Sequence, residues 1–343
     1  MPVTLREIAL QSGVSMQTVS GVLNAKGHLF RPETRAKVIQ AAEKLGYRPN
    51  GWAKAMRGGK FKAAALLEST NTHLSYHLPG LIAGVQAGLS ARDLHLVLSS
   101  MPDETLTDTG YVPRILRELM ADGLIINYTN RIPAKMTELV ESYHIPSIWL
   151  NVKRPSDCVY LQDYAGAQSA TIRLQEMGHR HIAYVDYHNR TTESDPHYSV
   201  ADRQAGYISA MRGAGLTPRL ILLDRPIRPA DRIDLAAQWL TAPDCPTAVV
   251  AYSPFTAVPV MLAAMMKANK QVPRDLSIIT FAEPHLTEMG IPLSLMLLPA
   301  FELGQTAAEL LITKLADVAQ PLTPRMLPLR FEPGGTIAPP RGS

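Results

Sequence analysis

Two short amphipathic stretches open the chain. Leu5 to Ser12 and Met16 to Asn24 carry apolar residues at helical spacing, and Gly13-Val14-Ser15 between them reads as a tight turn. The glycine accepts a positive φ and the serine can cap the second helix. The pattern predicts a helix-turn-helix with Leu5, Ile8, Ala9, Val14, Val19, Val22 and Leu23 facing inward. Pro32 can begin a third helix reaching Leu45, with Val38, Ile39, Ala42 and Leu45 closing a small core and Gly46 ending it.

The periodicity changes near residue 61. Short apolar runs then alternate with helical patterns: Ala63 to Leu67, Leu94 to Leu98, Leu124 to Asn127, Ser147 to Leu150, His181 to Asp186, Leu220 to Leu223, Ala248 to Ala251 and Leu276 to Phe281. Continuous hydrophobicity in strands spaced by helices predicts parallel sheets covered on both faces. Two sheets fit better than one, the first lobe spanning residues 61 to about 158 and the second about 162 to 290. The longest apolar run, Thr247 to Met266, is broken by Ser253, Pro254 and Pro259. It predicts a buried strand, a loop and a buried helix rather than a membrane span. A Pro/Gly-rich tail after Glu332 is expected to be partly loose.

Charge sharpens this division. Residues 1 to 60 hold ten Lys/Arg and three Asp/Glu, a net +7, whereas the remainder carries a net −3. The basic charge coincides with the helix-turn-helix, which fits phosphate contact and salt-sensitive binding. Cys158 and Cys245 stand far apart without Cys-x-x-Cys or zinc spacing, and both are expected to be reduced, buried small residues. Met1-Pro-Val-Thr-Leu-Arg6 lacks the basic-then-apolar pattern of a signal peptide, so a cytoplasmic location is expected.

The residues Thr4-Leu-x-x-Ile-Ala9, Gly13-Val-Ser-x-x-Thr-Val-Ser20, Val22-Leu-Asn24, Thr34-Arg35 and Gly46-Tyr-x-Pro-Asn50 resemble the headpiece of the lac and gal repressor family. Similar segments continue as Asp122-Gly-Leu-Ile-Ile126, Asp163-x-Ala-Gly166, Met177-Gly-His-Arg-His-Ile-Ala183, Asp202-Arg-Gln-Ala-Gly206, Val272-Pro-Arg-Asp-Leu-Ser277 and Glu302-Leu-Gly304. The resemblance implies an all-α headpiece over residues 1–49, a hinge helix over 50–60 and a two-lobed α/β core over 61–343 resembling periplasmic binding proteins. It assigns about 61–160 and 292–322 to the N-lobe and about 161–291 and 323–340 to the C-lobe. The chain returns to the first lobe through Leu293 to Leu298 and a helix over Ala300 to Ala319. The implied function is a sequence-specific transcriptional regulator, a repressor by resemblance. Its homodimer would bind a pseudo-palindromic operator with an affinity set by a sugar or related metabolite between the lobes.

Carried over residue by residue, the resemblance makes Met16, Gln17 and Gly21 the base-reading positions. Gln17 can pair bidentately with adenine and Met16 can touch a thymine methyl, while Gly21 has no side chain with which to read. Ser15, Thr18, Ser20, Asn24, Thr34, Arg35, Tyr47 and Asn50 are phosphate-contact candidates, although Ser15, Ser20 and Thr34 can equally serve as helix caps. Thr4 and Leu5, which open the motif, complete the DNA-binding set. Arg31 stands where a serine cap is usual and offers an added phosphate contact. The hinge, Asn50 to Lys60, is too short to be a stable helix alone, and Gly51 weakens it by roughly 1 kcal/mol relative to alanine. There Met56 matches the family's minor-groove wedge.

In the core, Arg203 matches the family's effector-binding arginine, and its guanidinium can clamp hydroxyls or a carboxylate. Tyr76, His77, Asn127, Trp149, Asn151, Ser253 and Phe281 lie just past apolar runs, where open α/β lobes hold their ligands. Two departures bear on ligand chemistry: Ser253-Pro254 replaces an Asn-Asp pair, and Thr280-Phe281-Ala282-Glu283 replaces Gly-Phe/Tyr-Asp-Asp. Both remove side chains that hold sugar hydroxyls. Ten histidines do not make an enzyme here, since nucleophile elbow, phosphate loop, dinucleotide fingerprint and metal-ligand spacing are all missing, and no cofactor or membrane partner is implied. A DNA-binding architectural protein without an effector is the alternative reading.

Overall fold

The structure is a computed structural model that describes residues 3–23, 29–47, 60–70, 79–101, 120–129, 131–187, 196–223, 227–284, 287–288 and 290–341. The chain divides into two compact units, Met1–Phe61 and Lys62–Ser343. The predicted positions Asn24, Asn50, Met56, Tyr76 and His77 lie outside the described residues.

The first unit contains helices α1 (Leu5–Ser12), α2 (Met16–Leu23) and α3 (Pro32–Leu45). Ile8, Val19 and Val38 are fully buried at its centre, with Leu5, Ala9, Val14, Leu23, Phe30, Leu45 and Tyr47 packed around them. Each such aliphatic side chain contributes about 1.5–3 kcal/mol when fully buried. Gly13 ends α1 at φ 66°, a left-handed conformation that turns the chain toward α2. The sequence reading of α3 needs one correction. Ile39 is 40% exposed and Ala41 takes the inward place, because the buried face runs through Val38, Ala41 and Ala42.

The second unit is built of two sheets. Its strands are β1 (Ala63–Ser69), β2 (His95–Met101), β3 (Gly123–Asn127), β4 (Ser147–Leu150), β5 (Cys158–Leu161), β6 (Ile182–Asp186), β7 (Arg219–Leu222), β8 (Ala248–Ala251), β9 (Ser277–Ala282), β10 (Thr287–Glu288), β11 (Ile291–Pro292), β12 (Ser294–Leu297), β13 (Arg325–Leu327) and β14 (Arg330–Glu332). Its helices are α4 (Pro79–Ser90), α5 (Ala134–Ser142), α6 (Asp163–Glu176), α7 (Tyr198–Gly213), α8 (Arg232–Leu240), α9 (Pro254–Met266) and α10 (Ala300–Ala316). The first sheet runs β13-β5-β4-β3-β1-β2, parallel throughout. The second runs β14-β12-β9-β8-β6-β7, parallel except for the antiparallel pair β12–β14. β10 and β11 form a separate two-stranded antiparallel ladder.

Burial follows the hydrophobic runs closely, with β1, β3, β4, β6, β8 and β9 buried along their whole length. The boundaries expected after residue 291 need correction. Residues 294–297 pair with β9 in the second sheet, whereas 325–327 pair with β5 in the first. The chain therefore crosses between lobes at Gln162, at Leu298-Pro299 and again at Pro328-Leu329. Strands of three or four residues carry too little periodicity to be assigned to a sheet from sequence. Cys158 is buried as expected, but Cys245 is only half-buried. Among the described residues no helix is long and apolar enough to cross a membrane.

Candidate DNA-reading face and interlobe cleft

The amino-terminal turn of α1 is held by a reciprocal cap. The Thr4 backbone N–H donates to Glu7 Oε2 at 2.7 Å, and the Glu7 N–H donates to Thr4 Oγ1 at 3.4 Å. The Thr4 N–H bond holds the Glu7 carboxyl below its usual range. Ser15 caps α2 by accepting the Thr18 N–H at 3.1 Å, and the two hydroxyls meet at 2.9 Å. Met16 is 53% exposed and Gln17 is exposed beside it, on the first turn of α2. Ser20, Gly21, Thr34 and Tyr47 are half-buried, while Thr4, Arg31 and Arg35 are exposed. Leu5 lies partly on the headpiece core, and Arg31 precedes α3 without a side-chain cap.

In the second unit the polar contacts between lobes gather at the carboxyl ends of the strands, where ligands of open α/β sheets bind. Asn151, just past β4, accepts the Tyr198 O–H on its Oδ1 at 2.8 Å. Its carbonyl lies 2.8 Å from His197 Nε2, so that nitrogen carries the proton. His197 Nδ1 then accepts from the Ser199 hydroxyl at 2.8 Å, leaving the Tyr252 O–H to donate to Ser199 Oγ, also at 2.8 Å. Lys153 pairs with Asp202 at 2.6 Å, and on another side the Gly80 N–H of α4 donates to Glu283 Oε1 at 3.3 Å. Burial raises the Glu283 carboxyl, with the Gly80 N–H opposing the shift.

Arg203 is the centre of this cluster and is buried. Its Nε donates to Asp163 Oδ1 at 2.6 Å and its Nη1 to the Tyr252 carbonyl at 2.7 Å. The guanidinium lies 4.8 Å from the Tyr252 ring centre and 4.2 Å from that of Phe281. Asp163 Oδ2 and Ser253 Oγ are buried without a hydrogen-bond partner among the described residues. Asn127 is fully buried at the end of β3 and donates to Glu68 Oε1 at 3.1 Å.

Arg203, Phe281 and Asn151 thus converge, and Ser253 follows Tyr252 directly. Trp149 is placed differently from expectation. Its ring lies under the Arg154 guanidinium at 4.2 Å and lines a cavity of about 310 Å³ with His144, Ser147, Asp157 and Lys314. The pleat explains this: Trp149 faces the opposite side of β4 from Ile148 and Leu150. Sequence reasoning did not single out Asp163, His197, Tyr198, Ser199, Tyr252 or Glu283 as site residues. His197 caps the helix that carries Asp202-Arg203, with Tyr198 and Ser199 in its first turn.

Burial lowers the His197 imidazole; the Asn151 carbonyl opposes this, as do the charges of Asp163 and Asp202, while Arg203 adds to it. Burial also lowers His179. Both therefore favour the folded protein in their neutral form. Stability is fully present above the unfolded value of about 6.5 and falls as pH drops through it. Thermal unfolding across a pH series should show a midpoint that declines on the acid side. His197→Gln, which can still donate to the Asn151 carbonyl, should flatten the decline in part, and an unchanged pH profile would refute the assignment.

Residues 4–50 match the family model for bacterial regulatory proteins of the lacI family, and residues 172–337 match a periplasmic binding protein-like domain. The chain is 28% identical over 324 residues to the ribose operon repressor of Escherichia coli (strain K12), covering 92% of this chain and 93% of that protein. It is 25% identical over 319 residues to the HTH-type transcriptional repressor PurR of Photobacterium profundum, covering 92% of each. The crystal structure of the lac repressor dimer bound to operator and the anti-inducer ONPF shares the fold with a TM-score of 0.79 at 22% identity, covering 98% of this chain and 100% of that one. A helix-turn-helix reader and a two-lobed binding-protein-like core define a DNA-binding transcriptional regulator rather than an enzyme. The chain thus carries a DNA-binding domain of the lacI family of bacterial regulatory proteins and is similar to that family's regulators along nearly its whole length.

Proposed function

We propose that this regulator is a cytoplasmic repressor whose homodimer binds a pseudo-palindromic operator, released or held by a sugar or related metabolite between the core lobes. The observation that carries the DNA half is the capped, exposed first turn of α2, with Met16 and Gln17 presented at the position from which a recognition helix enters a major groove. Residues 50–60 would act as the hinge and Met56 as its wedge. One reader makes too few contacts for tight specific binding, so two half-sites are expected. A second copy has a surface to dock on. Phe255, Val258, Pro259, Leu262 and Met266 follow one helical stripe of α9, with Phe255 and Met266 72% and 70% exposed.

For the effector, the support is the set of hydrogen bonds that join the lobes through Asn151, His197 and Tyr198. A ligand entering beside Arg203 would compete with or reinforce those bonds and so shift lobe closure, with a coupling of about 1–3 kcal/mol to the DNA site. The architectural alternative has no use for such a cluster.

Selection of bound duplexes from random DNA by the full chain, repeated with pentoses, hexoses, disaccharides and nucleosides, tests the proposal. The expected result is a site with two related half-sites whose enrichment one ligand class changes. Phe255→Asp with Met266→Asp should uncouple the half-sites, each then bound weakly and alone. A single unrepeated site bound by one subunit would defeat the dimer, and enrichment indifferent to every ligand would defeat the sensor.

A further inference from the structure

Gly21 lies one helical turn beyond Gln17, on the same face of α2, and the resemblance makes it a base-reading position with nothing to read with. The structure shows what fills that space. A Cβ built on Gly21 would lie 2.5 Å from Phe30 Cζ and 2.6 Å from Phe30 Cε2, too close for real atoms. The Phe30 ring therefore occupies the volume into which a side chain at residue 21 would project. It is half-buried, packed inward against the headpiece core, and so retains exposed surface beside the recognition helix.

We infer that Phe30 is a base-contacting residue of this reader, standing in for the missing side chain at position 21, and that it takes the 5-methyl group of a thymine in the major groove. A phenyl ring has no hydrogen-bonding group, so the apolar feature of a base edge is the one it can read, and in the major groove that feature is the thymine methyl. The glycine is then a steric requirement of the contact. Any larger residue at 21 must push the ring away. The ring packs on the cluster of Ile8, Val19 and Val38 yet is only half-buried, so the part of it turned away from that cluster is available for contact.

The inference rests on reading the headpiece as DNA-binding, and the test separates the two. The enriched duplex from site selection is compared with versions in which each thymine of the half-site is replaced by deoxyuridine, removing only the methyl group. The wild-type chain should lose about fourfold in affinity per half-site at one symmetric position, the ratio expected for burying one methyl group. Phe30→Ala should bind the thymine and uracil duplexes alike at that position. Gly21→Ala should do the same by displacing the ring, and Phe30→Leu, which keeps apolar packing, should retain part of the discrimination if Phe30→Ala proves unstable. No thymine sensitive to loss of its methyl in the wild type, or a sensitivity that Phe30→Leu and Gly21→Ala leave untouched, would overturn the inference. Failure to enrich any site would instead count against DNA reading itself.

Discussion

Gln17→Ala should weaken operator binding by about 1–3 kcal/mol per half-site, and by roughly twice that on a two-half-site duplex, while leaving the folded headpiece intact. Gln17 is exposed on a turn whose geometry is held by Ser15 and Thr18 rather than by Gln17 itself. Its loss therefore removes a reader and not a support. Because glutamine neutralises no phosphate, the slope of affinity against salt should be unchanged, whereas Arg31→Ala should shallow that slope across all sequences. Fluorescence anisotropy over a salt series measures both quantities on one duplex. Undiminished binding by Gln17→Ala would remove α2 from the groove.

The second large effect belongs to the buried ion pair in the core. Arg203→Ala or Asp163→Ala alone should destabilise the core by about 3–5 kcal/mol, since each leaves an uncompensated charge behind. Arg203 and Asp163 side chains are 8% and 1% exposed, so solvent can take over little of the lost interaction. Replacing both with apolar residues of similar size, Arg203→Met with Asp163→Leu, should cost less than either single change. Urea unfolding of the three variants provides the comparison, and single variants as stable as the wild type would show that the pair is dispensable. Any ligand response should vanish in all three. Arg203 is oriented by Asp163, the Tyr252 carbonyl and two aromatic rings, so under the proposed function a ligand would meet a guanidinium already fixed in place.

What could be read from the residues alone follows from locality. The reader is encoded within residues 4–46 by caps, a glycine turn and a 3.6-residue period, each involving neighbours in sequence. Apolar runs buried on both faces announced β1, β3, β4, β6, β8 and β9, because such strands carry their environment in their composition. Arg203 stands out in the sequence through its motif, and Asn151 through its place after a strand.

The tertiary structure decided matters that depend on residues far apart in the chain. Leu293 to Leu298 could pair with either sheet by composition, and only the ladder with β9 places it. Trp149 looked like a strand-end aromatic, but the parity of the pleat turned it toward Arg154. Asp163, forty residues before Arg203 in the chain, gains its meaning from the bond it accepts, as His197 does from the carbonyl of Asn151 in the other lobe. Gly21 is an empty position in sequence and an occupied one in space, because Phe30 arrives there from the segment just before the next helix. Short-range periodicity and capping chemistry are written in consecutive residues, whereas charge pairing, pleat parity and steric occupancy arise only when distant segments meet.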